Sequence, residues 1–348
     1  MKTGENSFRR LFIFFSIYLC SMTDVVFSAD ESNNQRTEEP DYLSILSSAS
    51  TTDSCFEVLC LLPGIRYKRT NHVPAQPISL ATSHMSRQGV RKGRLVFAAG
   101  SLASINYYAY QKFKNIWWNH PKTGFHFYRG WRQTDGWYDF GPNDSLWHHM
   151  DKLGHYFNAR LASLLLADTA HWIGFRENPS QWIGAAMSWL LYLQIEIFDG
   201  QFEQWGFSLG DLAANTAGAF MPLLSTRYPF IQKFTLKLSY SPLELQQQKY
   251  VVEDYAGMTF WLTSNPQNFL PRSFDSFWPD FLNVALGYSV SKKTYGDTEL
   301  YFGLDYDLTK IETRSPFLRR VLYYLNYIHF PAPAIKISPQ KQLYLFYY

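Results

Sequence analysis

Apolar and polar residues follow two different rhythms along the chain. From Arg94 to Lys112, Met150 to Phe175, Gln181 to Phe198 and Leu209 to Leu224 the apolar residues recur with helical texture, which predicts about four helices. Pro179-Ser180 and Gly206-Phe207-Ser208 punctuate the last three, so Ser180 and Ser208 are the expected caps of the final two. From about Phe234 the period shortens to two. Thr235 to Tyr240, Leu282 to Tyr288 and Glu299 to Asp307 alternate, and Tyr295-Gly-Asp297 supplies turn chemistry between the last two. An amphipathic stretch, Phe317 to Ile328, interrupts the alternation with Leu318, Val321, Leu322, Leu325 and Ile328 at helical spacing. The last segment, Gln342 to Tyr348, ends on an aromatic residue as outer-membrane barrel strands do. Yet only four to six strands are visible, fewer than the eight of the smallest such barrels. The expected fold is therefore α+β: a polar-centred helical bundle followed by a small aromatic-rich antiparallel β domain packed on it.

The pattern divides the chain into residues 1–28 as a signal peptide, 29–86 as a disordered linker, 87–230 as the helical bundle and 231–348 as the β-rich C-terminal domain. Arg9 and Arg10 precede the apolar run Leu11 to Leu19, and Val26-Phe27-Ser28 places small residues where a signal peptidase inspects them. The run is about half of the ~20 apolar residues a span requires, so cleavage is favoured over an uncleaved anchor. Cys20 raises lipid modification, although Leu19 stands where that motif takes a small side chain. Cys55 and Cys60 would meet an oxidising compartment, either paired with each other or as separate thiols.

Composition narrows the setting. The 32 Lys and Arg nearly balance the 29 Asp and Glu, and no basic run stands out, which argues against a nucleic-acid partner. Aromatic residues make up 18% of the chain, as many as the charged ones, and the charged share is below the ~25% of ordinary soluble domains. So many rings favour a membrane boundary or a large partner surface, making membrane or envelope components the expected partners, with no particular protein partner indicated. Leu95 to Gln111 and Asn178 to Ile195 carry no charge and approach the length of a span, but Ser, Asn, Gln and Tyr dilute them. A mean hydropathy of -0.24 suits a peripheral or water-soluble bundle better than four spans.

Three helices each carry a polar pair at one-face spacing. Asp151 and His155 are i and i+4, with Lys152 between them and Asn158 and Arg160 close by. Glu196 and Asp199 are i and i+3, and Asp211 and Asn215 are again i and i+4, with Gly218 a turn on. Ionisable groups on apolar helices are costly unless they meet one another, so Asp151, His155, Glu196, Asp199, Asp211 and Asn215 are expected to converge. Three chemistries fit such a cluster: a structural network that fixes helix register, an acid/base or ligand-binding site, and a zinc or manganese site that lacks a firm spacing signature. No serine-nucleophile elbow, phosphate loop or Cys-His pair competes, and the sequence leaves the cofactor, like the metal, open. His120, His126, His148, His149 and His171 read as loop or interface residues, and the Trp117 to His149 segment reads as an aromatic interfacial cover. Its Trp117, Trp118, Trp131 and Trp137 suit an interfacial belt, or stacking on a sugar.

The order Asp151-Lys152-x-x-His155, Glu196-x-x-Asp199, Asp211-x-x-x-Asn215-x-x-Gly218 resembles the YfiM-like family of predicted periplasmic lipoproteins, most of all its long Bacteroidota form. Trp117-Trp118, Phe125-His126-Phe127, Glu196 to Gly200 and Gln204 to Ser208 add to the resemblance, which runs from about residue 90 to the C-terminus. The same elements are more distantly similar to VanZ-like membrane proteins, with Asp199 where those carry Gln. The resemblance implies the envelope of a Gram-negative bacterium, periplasmic and membrane-associated, and no established activity. A structural or ligand-binding cluster is the leading expectation. Its rival is a membrane-proximal hydrolase or transferase acting on lipid-linked or glycan substrates.

Overall fold

Four long helices come first: α1 (Lys92–Ile116), α2 (Met150–Ile173), α3 (Glu177–Asp199) and α4 (Leu209–Arg227). This computed structural model describes residues 65–67, 89–128, 148–241, 255–271, 273, 276–291 and 297–347. The signal segment, Cys20, Cys55, Cys60, most of the linker, Trp131, Trp137 and Tyr348 lie outside the described residues. Ser208 caps α4 as its sequence suggests, its Oγ accepting the Asp211 amide at 2.9 Å. Ser180 does not cap α3. That helix begins a turn earlier at Glu177, and Ser180 is buried inside it. Pro179 misleads here because the first amides of a helix have no intrahelical acceptor, so a proline in that turn breaks nothing.

Helix α2 is the middle of the bundle, and small residues let its neighbours close on it. A Cβ on Gly184 of α3 would stand 2.4 Å from the Ser163 carbonyl oxygen, and one on Gly218 of α4 would stand 2.2 Å from that of Tyr156. Ser188 adds a bond across the first contact, its Oγ donating to the Ala159 carbonyl at 2.7 Å. Helix α1 joins at the far end of α2, where Arg94 donates to the Trp172 carbonyl at 2.7 Å. Among the described residues no helix is long and apolar enough to cross a membrane, so the near-spans of the sequence reading are not spans.

The second half is a six-stranded antiparallel sheet in the order β2-β3-β4-β5-β7-β8, formed by β2 (Thr235–Tyr240), β3 (Met258–Ser264), β4 (Leu282–Val290), β5 (Thr298–Tyr306), β7 (Ala332–Ser338) and β8 (Gln342–Tyr347). A separate pair joins β1 (Ile65–Tyr67), from the stretch read as linker, to β6 (Ile311–Thr313). The amphipathic stretch forms α5 (Pro316–Leu325), capped by Ser315. Helices first, sheet second, is the α+β order expected. The two halves share a core, in which Met150 and Phe157 of α2 pack with Phe260, Val290 and Tyr327.

Candidate functional site

Because Gly184 and Gly218 draw α3 and α4 onto α2, the polar faces of the three helices meet. His155 projects from α2 with Nδ1 3.1 Å from Asn215 Oδ1, and Asn215 Nδ2 donates to Glu196 Oε1 at 3.0 Å. His155 Nδ1 is also 3.6 Å from Glu196 Oε1, while its Nε2 faces Asp211 Oδ1 at 3.7 Å. Lys152 reaches across the helix start, its ammonium 2.7 Å from Asp151 Oδ2 and 2.9 Å from Asp211 Oδ1. The structure thus joins His155, Glu196, Asp211 and Asn215 directly and Asp151 through Lys152. Asp199 stands apart in its bonding, its Oδ1 accepting the Trp118 indole N–H at 2.6 Å.

The electrostatics divide the acids into two kinds. Burial pushes the Glu196 carboxyl well above the usual carboxylate range, and the neighbouring Asp211 and Asp199 push it further than Lys152 and the Asn215 bond pull it back. Burial likewise raises Asp199 to about 7, against the pull of the Trp118 bond and of His155. Burial would raise Asp211 too, but His155 and Lys152 overcome it and hold this carboxyl below its ordinary value. Burial and its acidic neighbours thus favour the protonated form of Glu196, while His155 and Lys152 favour the anionic form of Asp211, with the imidazole between them. That is a polarised relay from Asp211 through His155 and Asn215 to Glu196. His155 is the member of it most open to water, its side chain 24% exposed against 14% for Asp211 and 1% for Glu196.

A nitrogen of His155 and one oxygen each of Glu196 and Asp211 lie within 4.8 Å of one another, a donor set suited to a divalent ion. Lys152 bears against that use, since its ammonium already holds Asp211 Oδ1, the oxygen that faces His155 Nε2. Two contributors escape the spacing rules. Lys152 follows Asp151 directly, and adjacent helical residues ordinarily diverge. Trp118 comes from beyond α1 and is neither a belt residue nor a sugar platform: it is buried, its ring stacked on Phe198 at 4.8 Å and lying 6.3 Å from Phe202. His120 and His126 take no part in the cluster, and His148 and His149 form the positive-φ turn that opens α2.

A second polar network, absent from the sequence reading, lies inside the sheet. Lys237 is fully buried, its Nζ 2.8 Å from Asp305 Oδ2, 2.7 Å from the Tyr306 carbonyl and 3.0 Å from Asn326 Oδ1. His329 Nδ1 completes it 3.1 Å from Asp305 Oδ1, with the Trp261 ring stacked on the imidazole at 4.1 Å.

Residues 134–227 match a family model described as Predicted periplasmic lipoprotein (DUF2279), a stretch that holds all six residues of the predicted cluster. The match supports a periplasmic location in the cell envelope. No curated protein and no solved structure matches the chain.

Proposed function

We propose that the protein is a membrane-associated component of the periplasmic face of the envelope, in which the Asp151, Lys152, His155, Glu196, Asp211 and Asn215 network is a structural clasp for three helices. One observation carries this reading: the cluster brings its own cation, Lys152, between Asp151 and Asp211. The remaining polar groups satisfy one another in the same way, with Asn215 held between His155 and Glu196.

A second reading has its own support. A partly exposed imidazole between Asp211, whose carboxyl is held below its ordinary value, and Glu196, whose carboxyl is pushed above it, suits the acid and base pairing of a hydrolase or transferase, for which the substrate class would be lipid-linked or glycan. Thermal melting of His155→Ala beside His155→Asn divides the two. For a clasp, His155→Ala leaves Asn215 Oδ1 without its imidazole partner and opens a gap beside Asp211, and it lowers stability by about 1–3 kcal/mol, which His155→Asn recovers in part. Unchanged melting in both variants, together with loss of the phenotype that the wild-type gene restores to a deletion strain, refutes the clasp and favours chemistry.

A further inference from the structure

The sheet is built with its polarity reversed. Its inner face carries Lys237, Asn283, Glu299, Asp305 and Lys336 with Trp261 and Tyr301, and Lys237 and Asp305 are almost wholly shut off from water. The other face carries an unbroken cross-strand row, Leu236, Leu262, Leu286, Phe302, Ile335 and Leu343, one residue from each of the six strands in register. Helix α2, with Tyr323 and Tyr327, covers the β2 end of this face, where Leu236, Leu238, Met258, Phe260, Tyr288 and Val290 pack into the shared core. Beyond that contact Leu286 is 56% exposed, Leu343 68% and Leu345 71%, with Leu262, Leu300, Phe302, Ile335 and Ile337 also open. Contiguous apolar surface of this kind marks an interaction site rather than a solvent face.

The curvature of the sheet says what occupies it. Four strand-to-strand steps separate β3 from β8, roughly 19 Å in a flat sheet. Yet the Trp261 and Tyr347 rings are 5.9 Å apart, and Thr259 Oγ1 lies 3.4 Å from Tyr347 Oη. The polar face is therefore concave and closed on itself, and the apolar face is convex. Two convex faces touch along a line, far short of the ~1,200 Å² of a stable protein pair, whereas fluid acyl chains conform to either curvature. Charge agrees with a lipid surface. The outward positions carry no charged group, while a lysine lies at each end of the strands: Lys341 at the entry to β8, and Lys233 just before β2. Lys233 sits over the rings of Phe230 and Phe269, both exposed, which gives that end the aromatic and cationic character of a membrane interface.

Resting on the membrane association proposed above, we infer that the convex face of the sheet around Leu286, Phe302, Ile335 and Leu343 docks on the acyl region of an anionic bilayer. The docking is shallow, since β8 is an edge strand and an unpaired edge is not tolerated deep in hydrocarbon. The test is flotation of the full chain with vesicles of phosphatidylethanolamine and phosphatidylglycerol, in a Cys20→Ser background so that no lipid on that cysteine supplies the binding. The chain should float, and the Leu286→Thr/Phe302→Thr/Ile335→Thr variant should lose about tenfold or more of its partition with its melting temperature kept, because threonine suits exposed strands. If the triple variant melts lower, Leu343→Thr/Leu345→Thr on the edge strand decides by the same criterion. Variants that float like the parent overturn the docking face while leaving membrane association standing. A parent chain that stays unbound, or that dimerises through this face without floating, overturns the docking face, and recovery of the parent from cells in the soluble fraction overturns membrane association as well.

Discussion

Replacing Asp199 by Asn asks whether the acid at the end of α3 is carried in the fold as a neutral group. Burial raises this carboxyl from 3.8 to about 7, with the Trp118 bond and the charge of His155 opposing. Asparagine has nearly the same shape, keeps an acceptor for the Trp118 indole at the 2.6 Å contact, and never ionises. The direction follows from linkage. Below the unfolded value of 3.8 the acid is protonated in both states and pH changes nothing. Between 3.8 and about 7 the unfolded chain releases a proton that the folded chain retains, so the wild-type protein loses stability as pH rises. Above that window both states are ionised and the loss levels off.

The slope within the window is at most ~1.4 kcal/mol per pH unit. Moving from pH 5 to pH 8 crosses about two units of it, so the stability of Asp199→Asn relative to wild type should improve by roughly 2–3 kcal/mol. Any pH-independent effect of the substitution drops out, because only the change with pH is read. Urea denaturation of both proteins at pH 5, 6, 7 and 8 supplies the measurement. A difference that stays flat, or that moves against the variant as pH rises, refutes the assignment of Asp199 as a neutral buried acid.

Removing the cluster's cation with Lys152→Met should cost about 3 kcal/mol at pH 7, because Asp151 and Asp211 lose the ammonium at 2.7 and 2.9 Å. Asp211 is held below its ordinary value, so the stability it contributes is present above 3.8 and is lost as pH falls further; chemical denaturation should find the Lys152→Met deficit shrinking below pH 4. Gly218→Ala forces a methyl to 2.2 Å from the Tyr156 carbonyl and should destabilise by about 1–3 kcal/mol, whereas Gly154→Ala, with open space around its Cβ, should raise stability by about 0.5–1 kcal/mol. Equal melting temperatures for these two glycine variants would show that the α2 and α4 contact is not the close one described.

Much of the bundle was legible because helical spacing is a geometric statement. Asp151 with His155, and Asp211 with Asn215, had to share faces once their segments were helical, and apolar surroundings left those faces little choice but to meet. What spacing cannot report is the reach of a long side chain or a partner delivered from outside the helix. Lys152 belongs to the cluster because its flexible stem carries the ammonium back between two carboxylates, and Trp118 because the chain beyond α1 folds over Asp199. Neither follows from a period. Nor does the opposite displacement of the two acids, Glu196 upward by burial and its acidic neighbours and Asp211 downward by His155 and Lys152.

The sheet shows a different limit. Alternation in Thr235-Leu-Lys-Leu-Ser-Tyr240 fixes that Leu236 and Leu238 share a face opposite Lys237, but not which face is buried. The soluble-protein convention would send Lys237 to water, yet it is the lysine that is sealed in. Burying an ammonium is costly, and the concave face tolerates it because Asp305, the Tyr306 carbonyl and Asn326 surround the charge at 2.7–3.0 Å, while Trp261, Tyr301 and Tyr347 fill the remaining space. Four strands away from β2 the same choice leaves Ile335 and Ile337 facing outward with no covering element among the described residues. Beyond the part of the convex face packed on α2, an inverted sheet trades the usual aliphatic interior for an ion pair it must desolvate, and in water alone that trade gains little there, since the aliphatic surface stays wet. It becomes favourable once the convex face leaves water, so the buried Lys237 and Asp305 pair and the exposed leucine row point to the same apolar neighbour.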